Sequence, residues 1–161
     1  MAEIAEVGQA SSANNRVRMI LLDTDVFSLL ELPDSQEYVR LRSRIAQLDP
    51  PQPVATTVIT FEEQSRGRLA SVSAARTDQR LTQAYFYLRQ HILNYRQIPV
   101  VEFDEAAAAI ATGLQRAKLH LGTMDIRIAA IAMAHGAILL SRNLRHFQRI
   151  PDLRVEDWTK P

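Results

Sequence analysis

The chain has 161 residues, of which 47% are hydrophobic and 23% charged, and its formal net charge is +1. These values fit one globular domain with a sizeable core and exclude a bulk polycation. There is no cysteine, which excludes disulfides and thiolate metal sites and makes the cytoplasm the expected compartment. No apolar run approaches the roughly 18 residues that a membrane span requires, and the N-terminus lacks the apolar segment of a signal peptide. Residues 1–17 read as a flexible tail and 18–161 as the domain. Only Lys118 and Lys160 are lysines and the other 17 cations are arginines, a choice that suits bidentate phosphate or carboxylate contact as well as a bias in genome composition.

In chain order, Arg18–Leu22 reads as a short buried strand with a helix start near Thr24–Phe27. Tyr38, Leu41, Ile45 and Leu48 follow helical spacing, and the proline-rich 49–53 stretch ends that helix. Val54–Thr57 reads as a second strand, with Thr57 capping a helix that runs through Glu63 to about Arg66 and stops at Gly67. Thr77–Gln97 is amphipathic, with Leu81, Tyr85, Leu88 and Ile92 on one face. Pro99–Phe103 is a third strand. Asp104 caps an alanine-rich helix from Glu105 to about Leu119, and Gly122-Thr123 opens a helix, Met124–His135, that is apolar nearly all round and so buried on most sides. Ala137–Ser141 is a fourth strand, Leu144–Arg149 a short helical turn, and Arg154–Asp157 a candidate fifth strand at an edge. Alternating strands and helices predict an α/β fold with a mainly parallel sheet of about five strands and helices on both faces. Sites in such sheets form beyond the carboxyl ends of the strands, where Asp23, Thr57 and Ser141 fall.

Three acids, Asp23, Glu63 and Asp125, each lie where an apolar segment ends or a helix begins. A carboxylate at the end of a buried strand is costly unless compensated, and three brought together do not all stay ionised without a cation. Oxygen ligands without thiolates suit a hard ion such as Mg²⁺ or Mn²⁺. Each acid also has a plainer role. Asp23 and Asp25 are placed to cap the first helix, and Asp125 to favour the positive end of its own. Glu63 fits a capping box from Thr60, but with Thr57 as the cap it lies in the second turn, too far along for that role. Ser141 and Asn143 are able to hold a water or a phosphate oxygen, and Arg142 and Arg145 to contact a phosphate backbone. Histidine side chains are able to accept or donate a proton in catalysis, but a lone one such as His146 is more often structural. His91, His120 and His135 have no paired spacing and receive no role.

Taken together, these motifs resemble the PIN-domain proteins of the VapC toxin type, from about Met19 to Trp158. Leu22-Asp23-Thr24-Asp25 is similar to the family's first motif. Ile59-Thr60-Phe61-Glu62-Glu63 with Gly67 aligns the second on Glu63. Asp125 with Ile128-Ala129-Ala130 and His135-Gly136-Ala137 matches the third, and Ser141-Arg142-Asn143 with Phe147 the fourth. Two departures stand out: Asp25 replaces a common asparagine, and His146 stands where a fourth acid is often found. The resemblance implies a PIN-like three-layer fold and a Mg²⁺-dependent ribonuclease acting as the toxin of a toxin–antitoxin pair. It would have Asp23, Glu63 and Asp125 as catalytic and metal-holding residues, with Asp25 and His146 as accessory candidates. Its implied partners are an RNA substrate, contacted through Ser141, Arg142 and Asn143, a VapB-like antitoxin and a second copy of the chain. The long helices from Ser35 and Thr77 offer contact faces for these partners.

Rival readings have less support. Asp23-Thr24-Asp25-Val26 also resembles the first motif of haloacid-dehalogenase-type phosphatases, in which Asp23 would be the nucleophile and Asp25 the acid–base. That chemistry needs a lysine from a later strand–helix junction and a late acidic pair, and neither Lys118 nor Lys160 is well placed. A receiver domain needs a lysine after its last strand. A PIN fold serving only as a binding module would be expected to have lost its carboxylates.

Overall fold

The tripeptides Ile20-Leu21-Leu22 and Ile138-Leu139-Leu140 pair side by side at the centre of the molecule. The structure is a computed structural model describing residues 18–161; the expected tail, 1–17, lies outside the described residues. Its strands are β1 (Ile20–Leu22), β2 (Val54–Thr57), β3 (Val100–Val101), β4 (Ile138–Leu140) and β5 (Val155–Glu156). Among the described residues they form one parallel sheet in the order β3-β2-β1-β4-β5. The chain builds outward from β1 in one direction and then crosses to its other side, so the topological switch point lies between β1 and β4.

Strand alternation divides the core in two. Leu21 and Leu139 point to one face and pack with α5 (Glu105–Arg116) and α6 (Thr123–Ala134). Ile20, Leu22 and Leu140 point to the other, under α1 (Thr24–Phe27) and α2 (Gln36–Ala46). The expected α2 positions Tyr38, Leu41, Ile45 and Leu48 all pack there. In α6, Ile126, Ile128, Ala129, Ala130, Ile131 and Ala132 are all buried, as its all-round apolarity requires. Register sets Leu22 level with Thr56 and with Leu140, so Asp23 and Ser141, the residues that follow β1 and β4, come out level with Thr57, the last residue of β2. A final short helix, α7 (Leu144–Phe147), buries Phe147 in the first core. No helix among the described residues is long and apolar enough to cross a membrane.

Two expectations are corrected. The helix after β2 does not stop at Gly67; α3 runs Val58–Ala74. Gly67 is not among the residues with positive φ, so it lacks the left-handed turn through which glycine usually ends helices. Its flanks are held instead, by Arg68 to Glu31 and by Ser71 Oγ, which donates to the Gly67 carbonyl at 2.9 Å. The second correction concerns α4 (Asp78–Tyr95), which packs against α3 as a hairpin. Its buried residues are Ala84 and His91, whereas Leu81, Tyr85 and Ile92 of the expected face are exposed. The reason is polar: Ser65 Oγ bonds His91 Nε2 at 2.8 Å and Phe61 stacks on the imidazole at 5.4 Å, so the histidine forms the contact.

A helical glycine in the ordinary right-handed region costs backbone entropy. A Cβ built on Gly67 would meet nothing within 4 Å. Gly67→Ala should therefore raise the free energy of unfolding by about 0.5–1 kcal/mol, read from the urea midpoint. A destabilised variant would restore Gly67 as a helix terminator.

Candidate functional site

Asp23 leaves the carboxyl end of β1 with only 6% of its surface exposed. Three constraints fix it. Its backbone N–H donates to the Leu140 carbonyl at 3.0 Å, which extends the β1–β4 pairing by one step. Its Oδ1 accepts the Thr24 N–H at 2.7 Å, making it the N-cap of α1. Its Oδ2 accepts from Ser141 Oγ, also at 2.7 Å. No lysine, arginine or histidine forms an ion pair with Asp23 among the described residues. Its carboxyl is accordingly pushed up to about 7. Burial is the main cause, and the charges of Asp25 and Asp125 add to it; the bonds from Ser141 and Thr24 act in the opposite direction.

The remaining acids stand around it, each differently restrained. Glu63 projects from the second turn of α3, and its Oε2 accepts the Thr24 hydroxyl. Its neighbour Glu62 points away and pairs on the surface with Arg66. Thr57 is the N-cap of α3, accepting the Thr60 N–H at 3.1 Å, and the helix that starts there turns Glu63 and not Glu62 toward Thr24, the choice that the motif resemblance implied. Asp125 sits in the first turn of α6, with Oδ2 at 3.7 Å from His146 Nδ1. Asp25, in the first turn of α1, accepts from the backbone N–H of Arg142 at 3.3 Å and from its Nε at 3.2 Å. Its other oxygen, Oδ1, is buried and has no hydrogen-bond partner.

Two of the expected substrate contacts are occupied within the protein. The Ser141 hydroxyl gives its proton to Asp23 and accepts the Asn143 N–H at 3.0 Å, so it serves the carboxylate. Arg142 is bound to Asp25. Asn143 leads into α7 without a side-chain cap bond. His146, the accessory candidate, stands at the edge of the site facing Asp125. The sequence assigns Thr24 no role, yet it touches two acids, donating its N–H to Asp23 and its hydroxyl to Glu63. Its position between two aspartates was the available signal.

Among the described residues, no three carboxylate or imidazole side chains stand close enough to enclose an ion by themselves. The donor set nevertheless fits a hard divalent cation. It consists of oxygens, it includes one buried carboxylate without a cation and one orphaned carboxylate oxygen, and Mg²⁺ typically takes one or two carboxylates and keeps several waters.

The chain is similar to known proteins to different extents. The chain is similar over 143 residues, at 27% identity, to the ribonuclease VapC1 of Haemophilus influenzae (strain R2866), covering 87% of this chain and 98% of that protein. It is 40% identical over 67 residues to the tRNA(fMet)-specific endonuclease VapC of Salmonella typhimurium (strain LT2), covering 38% of this chain and 50% of that one; the chain thus spans about half the length of the relatives it matches at this higher identity. The solved structure of VapBC-1 from nontypeable Haemophilus influenzae has the same fold, with a TM-score of 0.70 at 24% identity over 88% of this chain and 99% of that one. DNA-bound VapBC from Salmonella typhimurium superposes with a TM-score of 0.63 at 25% identity, over 88% and 98% of the two chains. The PIN domain family matches residues 20–153. Since that span runs from the first residue of β1 to just short of β5 and takes in every acid described above, the chain belongs to the PIN-domain family.

Proposed function

We propose that this PIN domain is a ribonuclease dependent on Mg²⁺ or Mn²⁺ and the toxin of a VapBC-type toxin–antitoxin pair. The observation that carries the reading is Asp23, a buried carboxylate at the switch point of a parallel sheet, close enough to Asp125 to feel its charge and without an ion-pair partner among the described residues. Asp23 and Asp125 would hold the ion, with Glu63 completing its shell directly or through water. Bound there, a divalent cation supplies an activated water and offsets the charge that grows on phosphodiester oxygens.

The chain's own groups prepare that site. Ser141 and the Thr24 N–H hold Asp23 in one orientation. Thr24 holds Glu63, and His146 borders Asp125. Arg145 and the side chain of Asn143, on the rim after β4, are left to meet RNA phosphates. The relatives named ribonuclease VapC support the substrate class, and the solved VapBC structures support an antitoxin partner; the proposal places the protein in the cytoplasm, in keeping with its lack of cysteine. The proposal includes a homodimer. Tyr85, Phe86 and Ile92 of α4 are each more than half exposed, apolar surface of the kind that partners cover. An antitoxin segment that reaches the acids with an arginine or lysine would be favoured by the same uncompensated charge.

RNA cleavage, assayed on total RNA and on initiator tRNA, should require Mg²⁺ or Mn²⁺ and cease in EDTA. Asp23→Asn and Asp125→Asn should each lower the rate by roughly 100-fold or more in a folded protein. Undiminished cleavage in EDTA or in either variant refutes the nuclease assignment, and a chain that binds RNA or a partner without cutting would be the binding module instead.

The adjacent glutamates provide an internal control. Glu63→Gln should cripple cleavage, while Glu62→Gln removes only a surface pair with Arg66, of a kind worth about 0–1 kcal/mol, and should act as wild type.

Buried charge also makes stability depend on pH. The folded-state pKa of Asp23, about 7, lies above its ordinary 3.8, so between these values the folded state binds more protons than the unfolded state. Without metal, the free energy of unfolding should therefore fall as pH rises from about 4 to about 7. Asp23→Asn should flatten that slope, as measured by urea denaturation in EDTA at several pH values; an unchanged slope would locate the effect elsewhere.

A further inference from the structure

Thr24 and Glu63 meet across two helices, α1 and α3, and their contact depends on how those helices are spaced. The residue after Glu63 spans that gap. Gln64 Nε2 donates to Ser28 Oγ at 2.9 Å, and Ser28 Oγ donates to the Thr24 carbonyl at 2.7 Å. On the other side, Gln64 Oε1 accepts from the Tyr95 hydroxyl at 3.0 Å. Each proton in this series has one destination: Tyr95 to Gln64, Gln64 to Ser28, Ser28 to Thr24. Because the Ser28 proton is committed to a carbonyl, Ser28 can only accept from Gln64, and this fixes which end of the amide faces which partner. The series closes into a ring through the Thr24 hydroxyl on Glu63 and the peptide bond from Glu63 to Gln64.

Its outer end is anchored. The Tyr95 ring lies 4.4 Å from Phe27, 5.0 Å from Phe61 and 4.8 Å from His91. Burial and the charges of Glu31 and Glu63 keep its phenol protonated far above neutral pH, so it is a permanent donor. Partly buried neutral hydrogen bonds stabilise only modestly, but they restrict geometry, and a reacting centre is sensitive to displacements of a fraction of an ångström.

We propose that Gln64 is a positioning residue for Glu63. By bridging Ser28 on the α1 side and Tyr95 on α4, it sets the spacing of α1 and α3 and so aims the Thr24 hydroxyl at the Glu63 carboxylate and fixes that carboxylate in place. The catalytic consequence rests on the nuclease reading; the positioning itself does not.

The experiment compares wild type with Gln64→Met, which keeps length and volume but loses both hydrogen bonds, with Ser28→Ala, and with the double variant. The first readout is the side-chain carboxyl ¹³C signal of Glu63 in metal-free protein, with that of Glu62 as control. It should shift in Gln64→Met and Ser28→Ala while Glu62 stays in place. The second is Mn²⁺ affinity by titration, which should weaken several-fold. The third is cleavage: kcat should fall roughly tenfold with KM within about twofold, and the double variant should be no worse than the more impaired single one, because both break one series. Tyr95→Phe, which keeps the ring packing, should give a smaller change in the same direction. A Glu63 signal that does not move in the variants overturns the proposal, as do additive losses in the double variant or a purely thermal destabilisation. Wild-type protein that neither binds Mn²⁺ nor cuts RNA would overturn the nuclease reading, and the carboxyl signal would still decide the positioning role.

Discussion

The structure is organised around one carboxylate taken out of water at the end of its central strand. Asp23 follows three fully apolar residues whose pairing on both sides holds the backbone still. The side chain has little freedom to reach solvent, and its two oxygens are instead bound to one hydroxyl and one backbone N–H. Neither partner carries a full charge. Two hydrogen bonds reduce the cost of burying an anion but do not cancel it, and two further aspartates increase it. A site with this imbalance attracts positive charge, whether as a hard ion or as an inserted cationic side chain.

Sheet topology explains why the imbalance falls where it does. Parallel strands finish at the same level, and the switch between β1 and β4 leaves a gap that no crossover covers. Register makes Asp23 and Ser141 neighbours although they are 118 residues apart in sequence. Thr57 at the neighbouring strand end sends α3 away from the sheet with Glu63 on its inner side. The α3–α4 hairpin then supports this helix from behind through His91 and Tyr95, rather than through the larger aliphatic residues of α4.

Two side chains that looked available for substrate, Ser141 and Arg142, are committed to the protein's own acids, and so is Thr24. Ser141 serves Asp23, Arg142 serves Asp25 and Thr24 serves Glu63. This is the expected behaviour of a low-dielectric site, in which polar groups left without partners are costly. Other arginines have structural roles as well: Arg40 and Arg44 donate to the carbonyls of Thr159 and Asp157 and tie the C-terminal segment to α2. The surplus of arginine over lysine is therefore partly architectural, since a planar fork suits carbonyl and carboxylate partners in fixed geometry.

Strong local signals were readable from the sequence alone. Apolar runs gave the strands, Thr57 and Asp104 gave helix starts, and the all-round apolarity of α6 gave its burial, because capping and hydrophobic periodicity act within a few residues of chain. The same locality identified Asp23, Glu63 and Asp125 as acids at element ends, and the motif resemblance set Glu63 apart from Glu62. Sequence failed where distant partners outweighed local preference. Gly67 resembled a terminator, but its helix continues as half of a hairpin. Leu81, Tyr85 and Ile92 traced an apolar face, yet α4 turns His91 inward because Ser65 and Phe61 are there to receive it. The roles of Thr24, Ser141, Arg142 and His146 depend on which groups the fold brings opposite them. Those pairings, which for Ser141 and Arg142 span more than a hundred residues, are set only by strand register and helix docking, so the tertiary structure alone decided them.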